Sequence, residues 1–205
     1  MNKNKIIIDY LRKIVPKHIY NNDPYRVLVS CVLSQRARDE TTEKVSKALL
    51  EIAPTAKDLA KLDIKTIEKT IRSIGFFKQK AKRLRKIGEI LTDKKVPNTL
   101  EELIKLPGVG RKTANVVLCY GFGQNKIPID THCNRIPKRL GLVDEKASLL
   151  EVEKKLEELF DKKDWRVLNL GFVTFGKTIC RPIKPLCSEC PFKDFCKYYK
   201  EKFLD

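Results

Sequence analysis

LPGVGRKTANVVLCYGFGQNKIPID, residues 106–130, is the stretch around which the rest of the chain is arranged. Just before it, Thr99 and Glu102 form a T-x-x-E capping box, which predicts a short helix through TLEELIK that Pro107 and Gly108 bring to an end. A second helix, Arg111 to Tyr120, starts at once. Gly108 and Gly110 permit a tight turn with bare backbone N–H groups, and next to a helix N-terminus such amides favour a phosphate. Leu106, Pro107, Gly108, Val109 and Gly110 are therefore expected to form a backbone-phosphate grip, a hairpin between two helices. Arg111 can add a phosphate contact, and Lys112 is placed for chemistry: a lysine near a helix N-terminus, flanked by another cation, loses proton affinity and gains nucleophilicity. Downstream, the IPIDTH segment offers one carboxylate, Asp130. LPGVG alone reads nearly as well as a turn between packed helices with a solvated lysine. The basic helix and the isolated aspartate that follow tip the balance toward chemistry.

The 205 residues can hold a sizeable core, as one domain or two small lobes. Lys plus Arg number 43 against 26 acids, a net charge of +17 that suits a polyanion, with nucleic acid the first candidate. A Lys/Glu-rich surface of the heat-adapted kind would sit closer to charge balance. No run of 18 apolar residues exists and MNKNKIII lacks a signal-peptide core, so no membrane partner is expected. The expected location is cytoplasmic, nucleoid-associated in a prokaryote. Seven cysteines, an odd number, are in a reducing compartment buried thiols or metal ligands rather than disulfides.

Almost every periodic segment is helical, so the expected fold class is all-α. Ile6, Ile7, Tyr10, Leu11 and Ile14 recur at helix spacing and stop before Pro16. Pro24 suits a first helical position, and Tyr25 to Leu33 is apolar nearly all round, the centre of a bundle. Its polar end, LSQRARD, brings Gln35, Arg36 and Arg38 to a surface. Asp39 or Thr41 is expected to cap a helix through Val45, Leu49 and Ile52; Thr55 with Asp58 opens another, and Asp63 a third. Ile71, Gly75 and the basic helix Lys78 to Leu91 echo the later hairpin, with Lys78, Lys82 and Arg85 as a face for DNA or merely for solvent. Asp130 is expected at the N-cap of Thr131 to Leu140, which orients the carboxylate for charge stabilisation, while His132 beside it can be catalytic but reads more readily as a packing or hydrogen-bonding residue. Ser148 with Glu151 starts a helix through Leu159, and Asp164 to Phe175 is an apolar helix with Trp165 in the core.

The tail carries Cys180, Cys187, Cys190 and Cys196 as C-x6-C-x2-C-x5-C. Zinc modules usually pair two C-x2-C knuckles, and only Cys187 and Cys190 are so spaced, so an iron–sulfur cube fits better. A structural role suits it better than a redox relay. The loop RPIKPL between the first two ligands is basic and clamped at both ends, able to present Arg181 and Lys184 to phosphates. Cys31, Cys119 and Cys133 read as small buried residues.

LPGVGRKTANVVL, the IDTH after it and the four-cysteine spacing together resemble the endonuclease III family, the iron–sulfur branch of the helix-hairpin-helix DNA glycosylases, over nearly the whole chain. The resemblance implies a six-helix lobe over 21–132 and a cluster lobe over 1–20 and 133–205, with a 4Fe–4S cluster at 180–196 and DNA in the cleft. It puts the family's nucleophile on Lys112 and its aspartate on Asp130. The implied partner is double-stranded DNA holding a damaged pyrimidine or an abasic site, bound by a monomer. The implied chemistry is base release by Lys112 through a Schiff base, then cleavage 3′ to the abasic site by β-elimination. The family's gap-filling Gln aligns on Arg36, with Gln35 one place earlier, so either residue can hold that role. Alternatives are a monofunctional thymine or uracil mismatch glycosylase and a non-catalytic hairpin module. The adenine-specific branch usually adds a C-terminal recognition domain and carries another residue at position 112.

Overall fold

The computed structural model describes residues 2–15 and 23–204. Among these there is no strand, and twelve α-helices with short 3₁₀ and π turns account for the ordered backbone. The chain divides into two compact units, Tyr20–Gln124 and Met1–Ile19 with Asn125–Asp205. The expected start of a lobe at residue 21, and Pro16 as helix stop, lie outside the described residues.

The Tyr20–Gln124 unit is built on α2 (Pro24–Ser34), with Asp23 accepting from the Arg26 amide and Pro24 opening the first turn. Leu28, Val29, Val32 and Leu33 are fully buried, so this helix is the centre its composition predicts. α3 (Asp39–Ile52) has Arg38 at its N-cap. Asp39 and Thr41 fall inside the helix instead of capping it, and Asp39 faces the dipole from the first turn. α4 (Ala56–Lys61) has both hydrogen bonds of the Thr55–Asp58 capping box, and α5 (Ile64–Thr70) is capped by Asp63. α6 (Phe77–Leu91) lies close on α4: a Cβ on Gly88 would meet the Ala60 amide nitrogen at 2.8 Å. The turn before α6 places its left-handed residue on Phe76, φ 59°, and not on Gly75.

Two expectations around the hairpin are corrected. α7 (Leu100–Leu103) is four residues long, shorter than TLEELIK, because Lys105 and Leu106 already bond three residues back. α8 (Arg111–Val116) does not continue as α-helix to Tyr120; Val117–Gly121 is a π turn, with the Phe122 amide reaching the Val117 carbonyl at 3.2 Å. Gly121 lies against Pro24, where a Cβ would meet Pro24 Cα at 2.9 Å, and the widened turn fits the chain past the start of α2.

In the other unit, α1 (Lys3–Ile14) packs on α11 (Trp165–Thr178), with Gly171 giving Leu11 room: a Cβ there would come within 2.7 Å of it. α9 (Thr131–Leu140), α10 (Leu149–Leu159) and α12 (Lys197–Phe203) complete it. Ser148 and Glu151 form the predicted capping box, and Trp165 is half-buried with Nε1 donating to the Phe160 carbonyl at 3.0 Å. Residues 125–132 belong here rather than with the hairpin, because Ile127 and Ile129 bury into this unit's own core with Ile136, Phe172 and Phe175.

Candidate functional site

The hairpin is anchored from below. Leu106 and Val109 are each only 5 % exposed, so these two expected DNA-binding residues give their side chains to the core and can offer only backbone. Gly108 sits at φ 75°, a left-handed turn, and is exposed. Gly110 caps α8 without a side chain; a Cβ there would meet nothing within 4 Å, so the approach to the first amides of α8 is open. Arg111 and Lys112 are exposed in the first turn, and Pro107 is half-buried.

The loop after α2 meets the hairpin. Gln35 donates from Nε2 to the Gly108 carbonyl at 2.8 Å and accepts at Oε1 from Arg83 Nη1 at 3.4 Å. Arg36 is exposed, holds a left-handed backbone at φ 52°, and places its guanidinium 5.7 Å from the centroid of Phe76. Phe76, itself left-handed, is 58 % exposed. Two bulky residues with strained backbone stacked in solvent are a costly arrangement that a packed core would not select. Lys78 and Lys82 are exposed, whereas Arg85 is tied to the Leu62 carbonyl at 2.6 Å and to Glu89, so the three do not form one open basic face. Cys31, expected to be buried, is mostly so, packed against the core while it lines a groove with Ser30, Ser34 and Tyr120. Burial pushes its thiol up to about 11, and the charge of Lys112 pulls against that rise.

In the other unit Asp130 is the N-cap of α9, its Oδ1 accepting from the His132 and Cys133 amides at 2.8 Å each. The segment before it is fixed: Asn169, buried, donates to the Pro128 carbonyl at 2.7 Å. His132 packs against Gly176, and its Nδ1 lies 3.2 Å from Arg135 Nη2. That supports the packing role.

All four tail cysteines line one cavity, walled by Leu140, Phe175 and Tyr198. The four thiols share the lining of this one space, and no other Cys among the described residues lines it. Four thiols around one space are the donor set an iron–sulfur cluster takes. Burial, with Cys196, Cys180 and Cys187 adding, pushes Cys190 up to about 11 against the opposing Phe192 amide, so bound iron must displace the protons. Arg139 holds the site's edge, with Nη1 3.6 Å from Cys180 Sγ, further bonds to the Arg181 and Pro182 carbonyls at 2.7 and 2.9 Å, and its cation 4.4 Å from the Tyr198 ring centroid. Behind the cavity Tyr10, Phe175 and Phe192 stack edge-on and tilted. In the loop, Arg181 is exposed but its Nε is held by the Thr178 carbonyl at 2.9 Å, and Lys184 is exposed at φ 49°.

Residues 29–162 match the model of the HhH-GPD superfamily of base excision DNA repair proteins, and residues 180–196 match the iron–sulfur binding domain of endonuclease III. The chain is 44 % identical to endonuclease III of Thermotoga maritima, over 96 % of this chain and 95 % of that one. It belongs to the endonuclease III family. Among solved structures, a non-covalent endonuclease III–DNA complex superposes with a TM-score of 0.89 at 36 % identity, covering 100 % of both chains. A thermostable thymine-DNA glycosylase superposes with a TM-score of 0.87 at 25 % identity, covering 97 % of each.

As a member of the endonuclease III family the chain is a base-excision-repair DNA glycosylase and abasic-site lyase, with a 4Fe–4S cluster held by the tail. Phe76, Arg83, Lys80 and Asn169 are site-shaping residues that sequence reading missed. Phe76 alone left a signal, an aromatic pair after Ile-Gly where a turn was expected; the others look like ordinary members of a basic or apolar helix.

Proposed function

We infer that the protein is a bifunctional enzyme for damaged pyrimidines, releasing the base and then cutting the strand, with Lys112 as the nucleophile. The observation that carries this is an exposed lysine in the first turn of the helix that leaves the Gly108–Gly110 hairpin. Such a position lets backbone amides hold a phosphate while the amine reaches the adjacent sugar. A base oxidised or saturated in its ring stacks poorly and costs less to extrude than an intact one. The amine of Lys112, in its unprotonated form, attacks C1′; the C1′–N bond breaks and the base leaves with its electron pair, to be protonated. Opening of the sugar gives a Schiff base, and removal of a C2′ proton expels the 3′ phosphate. Asp130, oriented by its cap bonds, supplies negative charge for the cationic sugar, a role implied by the resemblance. The cluster, when bound, supplies structure to the tail.

Arg36 is the better choice than Gln35 for filling the gap left by the base. The Gln35 amide is committed at both ends, while Arg36 and Phe76 project together from strained backbone. Arg111 and Lys184 add phosphate contacts, with Arg181 contributing only what its bond to Thr178 leaves. The superposition on a DNA-bound relative supports duplex DNA as partner. On the DNA-repair reading the protein works at the nucleoid in the cytoplasm, as a monomer; no helix among the described residues is long and apolar enough to cross a membrane. A mismatched thymine in place of a damaged pyrimidine is the second reading of the substrate, favoured by the thymine-DNA glycosylase likeness.

Borohydride trapping on a duplex with thymine glycol or an abasic site tests the assignment. A covalent adduct with the native chain, absent for Lys112→Gln, is the expected result. Base release without an adduct would remove the Schiff base from the chemistry, and full lyase activity in Lys112→Gln would remove Lys112 from it.

A further inference from the structure

We propose that Arg83 is a positioning residue that locks the Gln35–Arg36 loop to the Gly108 hairpin, so that the phosphate grip and the gap-filling side chain are set by one shared brace. This rests on the DNA-repair reading above. Gln35 is the middle of the brace. Its amide has one donor end and one acceptor end, and both are used, the first by the Gly108 carbonyl at 2.8 Å and the second by Arg83 at 3.4 Å. Arg83 also lies against the hairpin itself, since a Cβ on Gly108 would come within 2.6 Å of Arg83 Cδ. One side chain from α6 therefore touches the turn that would hold a phosphate and the residue next to the proposed gap filler.

A guanidinium suits this task because it donates from a fixed plane and does not lose its charge. Held by it, Gln35 can present only its N–H₂ to Gly108, which fixes the carbonyl and with it the plane of the hairpin peptide. Arg36, one residue on, has its left-handed backbone set by the same anchor. Gln35, Arg83, Arg36, Phe76, Gln79 and Lys80 line one cavity of about 350 Å³ beside this brace. Without Arg83 the Gln35 amide can turn, and the hairpin and the loop lose their common reference. Neither Arg83 nor Gln35 has to touch DNA for this effect.

The experiment uses the full-length, cluster-loaded protein and a duplex with a tetrahydrofuran abasic analogue opposite 2-aminopurine. The fluorescence of 2-aminopurine reports whether the gap is filled, and anisotropy gives the affinity. Arg83→Ala and Gln35→Ala are each expected to weaken binding about tenfold and to reduce the fluorescence change at saturating protein. The double variant should be no worse than either alone, because both remove the same brace. Arg83→Lys should recover little, lacking the planar fork. Effects that multiply in the double variant, an unchanged fluorescence response, or losses that follow a lowered melting point alone would overturn the brace. A native protein that neither binds this duplex nor forms the borohydride adduct would sink the functional reading and the brace with it, whereas a normal native response sinks neither.

Discussion

The ammonium of Lys80 donates to the carbonyl of Leu33 at 2.8 Å from a side chain that is 2 % exposed. The bond satisfies a carbonyl near the end of α2 and so fixes where the helix stops and the Gln35–Arg36 loop begins. Burial, and secondarily Arg83, lowers the proton affinity of Lys80. As pH rises toward the ordinary lysine value of about 10.4, the folded chain gives up its proton first, the unfolded state binds more protons, and stability rises with pH over that window. Urea midpoints of the native protein minus those of Lys80→Met should therefore grow more favourable on going from about pH 8 to about pH 10. A flat or falling difference would show that Lys80 keeps an ordinary proton affinity.

Gly108→Ala should destabilise the protein by about 2 kcal/mol, part from the left-handed φ of 75° and part from the contact with Arg83. In an Arg83→Ala background only the backbone part, about 1 kcal/mol, should remain. Denaturant melts of the four proteins measure this, and an equal cost in both backgrounds would mean the side chain steps aside freely.

Cys31 reports on Lys112. Its thiol is pushed up to about 11 by burial and drawn back by the lysine's charge, so removing that charge raises it further. Alkylation of Cys31 by iodoacetamide near pH 8, followed by peptide mass, should be several-fold slower in Lys112→Gln than in the native protein, on the order of two- to fivefold. Equal rates would mean the two side chains do not feel each other.

Arg139→Ala should free the 181–182 carbonyls and strip a donor from Cys180 while leaving the four ligands in place. The visible absorbance of the cluster should survive purification but bleach faster in air. The slope of log affinity against log salt should become shallower by about one unit, because the loop no longer presents Lys184 steadily. Loss of all colour on purification would make Arg139 necessary for assembly itself.

Most helix starts were legible because their signals are local: Pro24, Thr55 with Asp58, Asp63, Asp130, and Ser148 with Glu151 each act within a few residues. Where the local rule gave two candidates, Asp39 and Thr41, neither was the cap, since the start of α3 is set by how the chain leaves the Gln35–Arg36 loop. The length of α8 failed for a similar reason. Nothing within Arg111 to Tyr120 announces a π turn; Gly121 against Pro24 imposes it from elsewhere in the unit.

The sequence by itself determined an all-helical chain, a hairpin with a lysine after it, an aspartate at a helix start and four thiols at cluster spacing, because each is written in residues close along the chain. Only the tertiary structure decided that Gln35 serves the hairpin 73 residues away, that Arg36 and Phe76 stand together on left-handed backbone, and that Lys80 is buried in a helix that reads as a solvated basic face. Those features are contacts between distant segments, and burial or strain at one residue is set by what packs against it, which periodicity and spacing do not record.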